Sequence, residues 1–354
     1  MEQPARRHRL SPGNAMPLIV DPPPIEPLFL SPGDVWRPGD IWPPVLAGDN
    51  SLANVAVVTC HFNPCAYRAP VRNLQRFLQR MEQDALPVWT IELVASGEAE
   101  APPGQRVRQV RSQSVLWHKE RLLNRLIEEL PPSIEKVFWV DADLLFDDST
   151  WLMRGAAALD EFPVIQPFRE AMHLACDAGE LEANTTSHET KAMVSIAHAR
   201  RSHPARSEDF GWAHPGFAWG ARREILARHG LYDRHPLGSN DTLMVLAMTG
   251  SWGHPLVAQF PSGMRRDYLK WAEPFYDDVR GRIGDISGIV RHLWHGSLRK
   301  RAYAVREQIL REHNFDPAAE LVQNIDECWE WTTPDSPLAV AVKTYFQERR
   351  EDQR

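Results

Sequence analysis

Asp141 and Asp143 stand one residue apart in KVFWVDADLLFDD, residues 136–148, directly after a run of apolar and aromatic side chains. Two carboxylates at a strand end can both turn into one pocket where the backbone bends. Together they suit a hard divalent cation that also holds phosphate oxygens. The plainer reading is that Asp141 caps the following turn and Asp143 is solvated, and a bare D-x-D allows either. The four cysteines, Cys60, Cys65, Cys176 and Cys328, form no C-x-x-C pair, which fits neither a zinc finger nor a disulfide scaffold and leaves reduced thiols as the expectation. A formal charge of -7 argues against a sequence-independent grip on nucleic acid, which needs many Lys and Arg contacts to phosphate.

For the two aspartates to meet a ligand, a sheet must hold them. NVAVVTC, from Asn54, is a short β-branched run of the kind found in buried parallel strands, and it ends in the polar loop HFNPCAYRAP. Val71, Leu74, Phe77, Leu78 and Met81 then recur at spacings of three and four, predicting a helix before a second strand, PVWTIELV. The next helical face, in SVLWHKERLLNRLIEEL, carries Leu116, Leu122, Leu123, Leu126, Ile127 and Leu130 and is stopped by Pro131 and Pro132. KVFWV follows as a strand. This alternation predicts an α/β fold, a mostly parallel sheet flanked by helices, with ligands at the carboxyl ends of the strands, where Asp141 and Asp143 stand.

The pattern is interrupted elsewhere. Residues 1–50 are rich in proline without helical or alternating periodicity, predicting an extended arm. The His-rich stretch from about Ala171 to Ser207 predicts loop and helix over the site, and no internal repeat is present. No apolar run approaches the roughly 20 residues of a membrane span. With no apolar core of signal-peptide length after the basic N-terminal residues, the cytoplasm is the expected location.

The surroundings of the D-x-D resemble the GT-A glycosyltransferases, especially the group of β1,4-galactosyltransferases, polypeptide N-acetylgalactosaminyltransferases and bacterial chondroitin-type polymerases. WHKERLLN precedes VFWVDADLLF as their helix precedes the D-x-D strand. HPGFAWGARREILARHGLYD is similar to their acceptor-side segment, GSND stands at their Gly-rich acidic loop, and VRHLWHG stands where they supply a late histidine. The loop departs from the galactosyltransferase pattern, which has Trp and a Glu-Asp pair, whereas here Leu237, Ser239 and Asn240 surround the single acid Asp241.

The resemblance implies a Rossmann-like GT-A domain over 51–312, with a nucleotide-binding half (51–148) and an acceptor half (149–312), followed by a helical tail over 313–354. It implies a nucleotide-sugar donor, a UDP-sugar in the first instance, and Mn²⁺ or Mg²⁺ assisting departure of the diphosphate. Asp143 would bind the cation, Asp141 the ribose or the cation and its water shell. His292 or His295 would complete the sphere, a nitrogen ligand favouring Mn²⁺. Either histidine could equally be a packed ring beside Trp294. Thr59, Phe62, Asn63 and Arg68 would meet the nucleotide, with Lys119 and Asn124 also on the donor side. Arg299, Arg301 or Arg306 would clamp the diphosphate, unless this basic run is a solvated helix face.

On the acceptor side, Trp219 would stack on a sugar or sit in the core, and Gly238 belongs to the loop beside it. Asp241 would be the general base of an inverting displacement, with Glu208 or Asp209 next in line; its plainer role is a helix cap. The acceptor remains open among glycans, lipid-linked sugars, proteins and modified nucleic-acid bases.

Two other readings fit a D-x-D after a hydrophobic strand. A haloacid-dehalogenase-like phosphatase would use Asp141 as nucleophile, but that strand normally opens the domain, and here two strand–helix units precede it. A non-catalytic glycan-binding protein of the same fold is the third, and the late histidines beside the D-x-D weigh against it.

Overall fold

A computed structural model describes residues 52–353, apart from 96, 103–105, 175–188, 205–209 and 211. The Pro-rich arm therefore lies outside the described residues, as do Cys176, Glu208 and Asp209.

The nucleotide-side elements are β1 (Val55–Phe62), α1 (Arg68–Gln83), β2 (Val88–Val94), β3 (Val107–Arg111), α2 (Lys119–Glu129) and β4 (Lys136–Val140). Strands β1, β2 and β4, runs of mostly buried residues, and helices α1 and α2 follow the predicted alternation, while β3, largely exposed at the sheet edge, is a strand the sequence did not suggest. Helix α2 begins later than its periodicity suggested. The residues before Lys119 are not helical, and there the Trp117 backbone N–H is tied across the chain to the Pro236 carbonyl at 2.8 Å.

The second half contains β5 (Leu144–Phe146), α3 (Trp151–Glu161), β6 (Val164–Gln166), β7 (Glu170–Leu174), β8 (Glu189–Ser195), α4 (Ile196–Ser202), β9 (Ala213–His214), β10 (Ala218–Arg222) and α5 (Arg223–His229). Then come α6 (Asn240–Thr249), α7 (Pro255–Ala258), α8 (Ser262–Val279), β11 (Ile283–Asp285) and β12 (Ile289–His292). The chain ends with α9 (Tyr303–Glu312), α10 (Pro317–Glu320), β13 (Leu321–Gln323), β14 (Trp329–Trp331) and α11 (Pro337–Glu348), so the predicted helical tail also carries a β-hairpin.

Among the described residues the main sheet has the order β11-β6-β10-β4-β1-β2-β3. Its strands are parallel except β10, which runs antiparallel to both β4 and β6. The expected α/β fold, a mostly parallel sheet flanked by helices, is the one observed. Because β10 is reversed, its start lies at the carboxyl edge of β4, beside Asp141. A second sheet, β5-β12-β7-β8-β9, stands over that edge. Here the structure corrects the sequence: the His-rich stretch begins as strand β7 and continues as β8, paired antiparallel, rather than as loop and helix alone. Along β7 the buried Ala171 and His173 share one face, with Glu170 and Met172 on the other. No described helix is long and apolar enough to cross a membrane.

Candidate active site

Three backbone ties hold the D-x-D in place. Thr59, fully buried on β1, donates its hydroxyl to the Val140 carbonyl at 2.7 Å and so pins the last residue of β4. The Asp141 N–H donates to the Phe217 carbonyl at 2.9 Å, and the Leu293 N–H donates to the Asp143 carbonyl at 2.8 Å. The antiparallel register of β5 and β12 sets His292 opposite Leu144, one residue beyond Asp143. Phe217 takes φ +80, a left-handed conformation rare for a bulky residue and of the kind concentrated at functional sites. Gly216 precedes it because Asp241 approaches closely: a Cβ there would lie 2.8 Å from Asp241 Oδ2.

Asp143, His292 and His295 converge. Asp143 Oδ2 lies 3.0 Å from His295 Nε2 and 3.4 Å from His292 Nε2. One ligand atom from each of the three falls within 4.8 Å of the others. The second oxygen, Asp143 Oδ1, is buried with no hydrogen-bond partner, an orphan that a cation would satisfy. Burial alone would raise the Asp143 carboxyl, but His292 and His295 outweigh it and hold the group well below the usual range, ionised as a ligand must be. Burial keeps His292 below its ordinary value and therefore neutral. The donor set of two imidazoles and one carboxylate fits a transition-metal dication such as Mn²⁺ better than Mg²⁺.

Asp141 is placed differently from its neighbour. Its Oδ1 lies 2.7 Å from the Lys119 ammonium, the first residue of α2, and the same nitrogen meets both Asp241 oxygens at 3.1 Å. Lys119 thus joins the D-x-D to the start of α6. Next to it, buried Glu120 accepts from Trp117 Nε1 at 2.9 Å and from Asn240 Nδ2 at 2.5 Å. One ammonium therefore faces three carboxylates. Burial, reinforced by Asp241 and Asp143 against the pull of Lys119, pushes Asp141 up to about 7. Burial likewise pushes Glu120 up to about 8, Lys119 opposing and Asp241 adding to the rise. Burial works against the Lys119 ammonium, but the carboxylates prevail and hold it protonated.

Lys119, Asp141 and Asp241, with Asp143, His292 and His295, border a cleft of about 670 Å³ that Phe62, Asn63, Arg301 and Arg306 also line. Asn63 is already engaged there, with Oδ1 accepting from the Tyr67 N–H at 2.9 Å and Nδ2 reaching Glu100. Other predicted contacts fall elsewhere. Thr59 sits behind β4 as described. The Arg68 side chain is exposed, and its N–H donates to Asp352 at 2.9 Å. Asn124 spends its amide on the Leu231 backbone, donating to the carbonyl at 2.9 Å and accepting from the N–H at 2.8 Å. Trp219 is fully buried and donates to the Pro215 carbonyl at 2.8 Å, so it is a core residue rather than a sugar platform. Gly238, at φ +93, packs against Arg306 behind the cleft wall. The Arg299 side chain lies outside the described residues.

The structure also adds residues that sequence reasoning missed. Trp117, His173, His214, Arg349 and Glu351 border the same cleft. Trp117 lay inside a motif already singled out. Arg349 and Glu351 sit in the charged run ERREDQR, within the expected helical tail, where no motif marks them.

No protein-family model matches this sequence, and no curated protein matches it either. Solved structures do show likeness. The catalytic domain of Drosophila β1,4-galactosyltransferase 7, in complex with xylobiose, aligns at 8% identity over 80% of this chain and 98% of that one, with a TM-score of 0.36. Mannosyl-3-phosphoglycerate synthase from Rubrobacter xylanophilus aligns at 11% identity over 78% of this chain and 82% of that one, at 0.34. A 4-diphosphocytidyl-2C-methyl-D-erythritol synthase from Anaerococcus prevotii aligns at 9% identity over 66% of this chain and 86% of that one, at 0.31. The solved structures that this chain resembles thus include both nucleotide-sugar transferases and a nucleotidyltransferase, and at these scores no chemistry carries across from them.

Proposed function

We propose that this protein is a metal-dependent glycosyltransferase that moves a sugar from a nucleotide-sugar donor, a UDP-sugar by sequence resemblance, to an acceptor hydroxyl with inversion. One observation carries the reading: a cation-ready cluster, Asp143, His292 and His295, shares a cleft with the carboxylate of Asp241, and Lys119 ties the two sides together. A phosphate-binding cation needs such a set of ionised and neutral donors, and an attacking hydroxyl needs a carboxylate within reach of the same space.

Asp143, His292 and His295 would hold the Mn²⁺, which when bound neutralises charge on the departing diphosphate. Arg301 and Arg306, at the cleft wall, supply further positive charge to that group. Lys119 holds the Asp141 and Asp241 carboxylates in fixed positions. Asp241, 25% exposed in its side chain and turned into the cleft, accepts the proton of the acceptor hydroxyl as that oxygen attacks the anomeric carbon. His214 and Phe217, stacked with ring centroids 3.6 Å apart, form a rigid wall beside it.

Incubation with UDP-sugars and Mn²⁺ tests the reading. UDP should be released, faster once a hydroxyl acceptor is present. EDTA should abolish release, and Asp143→Ala should lose activity and metal-dependent UDP binding while melting as the parent does. Turnover undiminished in excess EDTA would sink the metal assignment. Release of inorganic diphosphate would indicate nucleotidyl transfer, and phosphate release without a nucleotide sugar would indicate a phosphatase.

A further inference from the structure

We propose that Glu351, near the end of the chain, is a positioning residue for His295, so that the C-terminal segment after α11 forms part of the metal site. The inference rests on the metal reading above and extends it to a stretch expected only as part of a helical tail.

The two nitrogens of His295 have different surroundings. Nε2 lies 3.0 Å from Asp143 Oδ2 and 2.8 Å from Arg301 Nη2, and to bind the cation it must present its lone pair. The ring proton then belongs on Nδ1. That atom is buried and has no hydrogen-bond partner, and Glu351 Oε2 faces it at an ion-pair distance of 3.5 Å. A metal-binding imidazole commonly directs its other N–H at a carboxylate, which fixes both tautomer and ring plane. Glu351 is the carboxylate in that place.

Glu351 is also held there by its surroundings. It is only 9% exposed, and its Oε1 is paired with Arg349 Nη2 at 2.5 Å. The Asp352 carboxylate accepts from the first backbone N–H groups of α1, Arg68 at 2.9 Å and Ala69 at 2.7 Å. Tyr67 Oη donates to the Gln347 carbonyl at 2.8 Å and accepts from the Arg350 N–H at 3.1 Å. On the metal side, Gly296 follows His295 at φ +88, and a Cβ there would lie 2.9 Å from the Glu351 Cα. The histidine loop and the C-terminal segment are thus in backbone contact, which only glycine at 296 permits.

The test is Mn²⁺ affinity of the full chain without nucleotide, read from free Mn²⁺ by electron paramagnetic resonance. Glu351→Ala should weaken binding by roughly 10- to 100-fold, the range for such partners. Glu351→Gln, which keeps an acceptor oxygen, should lose only a few-fold. In a His295→Ala background, Glu351→Ala should cost nothing further, because its effect passes through that ring. Affinity within twofold of the parent, or an equal loss in the His295→Ala background, overturns the proposal. Should the alanine variant melt early, Glu351→Leu keeps the volume without an acceptor and carries the same comparison. A parent that binds no Mn²⁺ overturns the metal assignment itself, whereas a binding parent indifferent to Glu351 overturns only the positioning role.

Discussion

Lys119 meets Asp141 at 2.7 Å and both Asp241 oxygens at 3.1 Å, so the two carboxylates share one counter-charge. This bears on whether Asp241 is a base or a helix cap. It is the second residue of α6, but no side chain caps that helix: Ser239 at the N-cap position is left-handed, and the Asp241 carboxylate turns to Lys119 instead. The capping role is therefore not the one observed. Asp241→Asn keeps the size of the side chain but cannot take a proton, so transfer should fall by roughly 10² to 10⁴ while donor binding barely changes. Rates within a few-fold of the parent would refute the base role. Retention of anomeric configuration in the product would refute it independently, since a single displacement inverts.

Elements decide where such residues end up, and Asn124 shows how. From the sequence it belonged to the motif KERLLN and was expected on the donor side. In the fold it lies a turn and more beyond Lys119 on α2, facing the Leu231 backbone, and its amide joins α2 to the segment after α5. Asn124→Ala would leave a buried N–H and a buried carbonyl without partners, a loss of about 2–6 kcal/mol at about 1–3 kcal/mol for each. Urea unfolding should show it, while KM for the donor stays within about twofold; a large KM change with unchanged stability would restore the donor role. The same contrast explains what could be read in advance. Strands β1, β2 and β4 and helices α1 and α2 carry strong periodicity, and the D-x-D follows a strand, so that edge was legible. Strands β5, β7 and β12 are short, and they bring His173 and His292 level only through pairing between distant segments, which no local pattern encodes. Arg349 and Glu351 reach the cleft through the docking of the C-terminal segment on α1, which is likewise invisible in ERREDQR.

At the scale of the whole molecule, a knot of acids, Glu120 buried and Asp141 and Asp241 partly so, gathers around Lys119 where α2, β4 and α6 meet. That knot ties folding to pH. Of these acids Glu120 alone does not line the cleft, and burial pushes it up to about 8 against the attraction of Lys119. Because the folded state prefers its protonated form, the stability it contributes is fully present below the ordinary carboxyl value and is lost as pH rises through about 8. A single proton gives a slope of at most ~1.4 kcal/mol per pH unit across that window. Glu120→Gln keeps an acceptor for Trp117 Nε1 and Asn240 Nδ2 but cannot ionise. The variant and the parent should therefore differ little at pH 5, and the variant should be the more stable at pH 8.5, by urea midpoints measured without added metal. Parallel curves across that range would show that Glu120 stays ionised in the folded protein, and that Lys119 balances the three carboxylates without a bound proton.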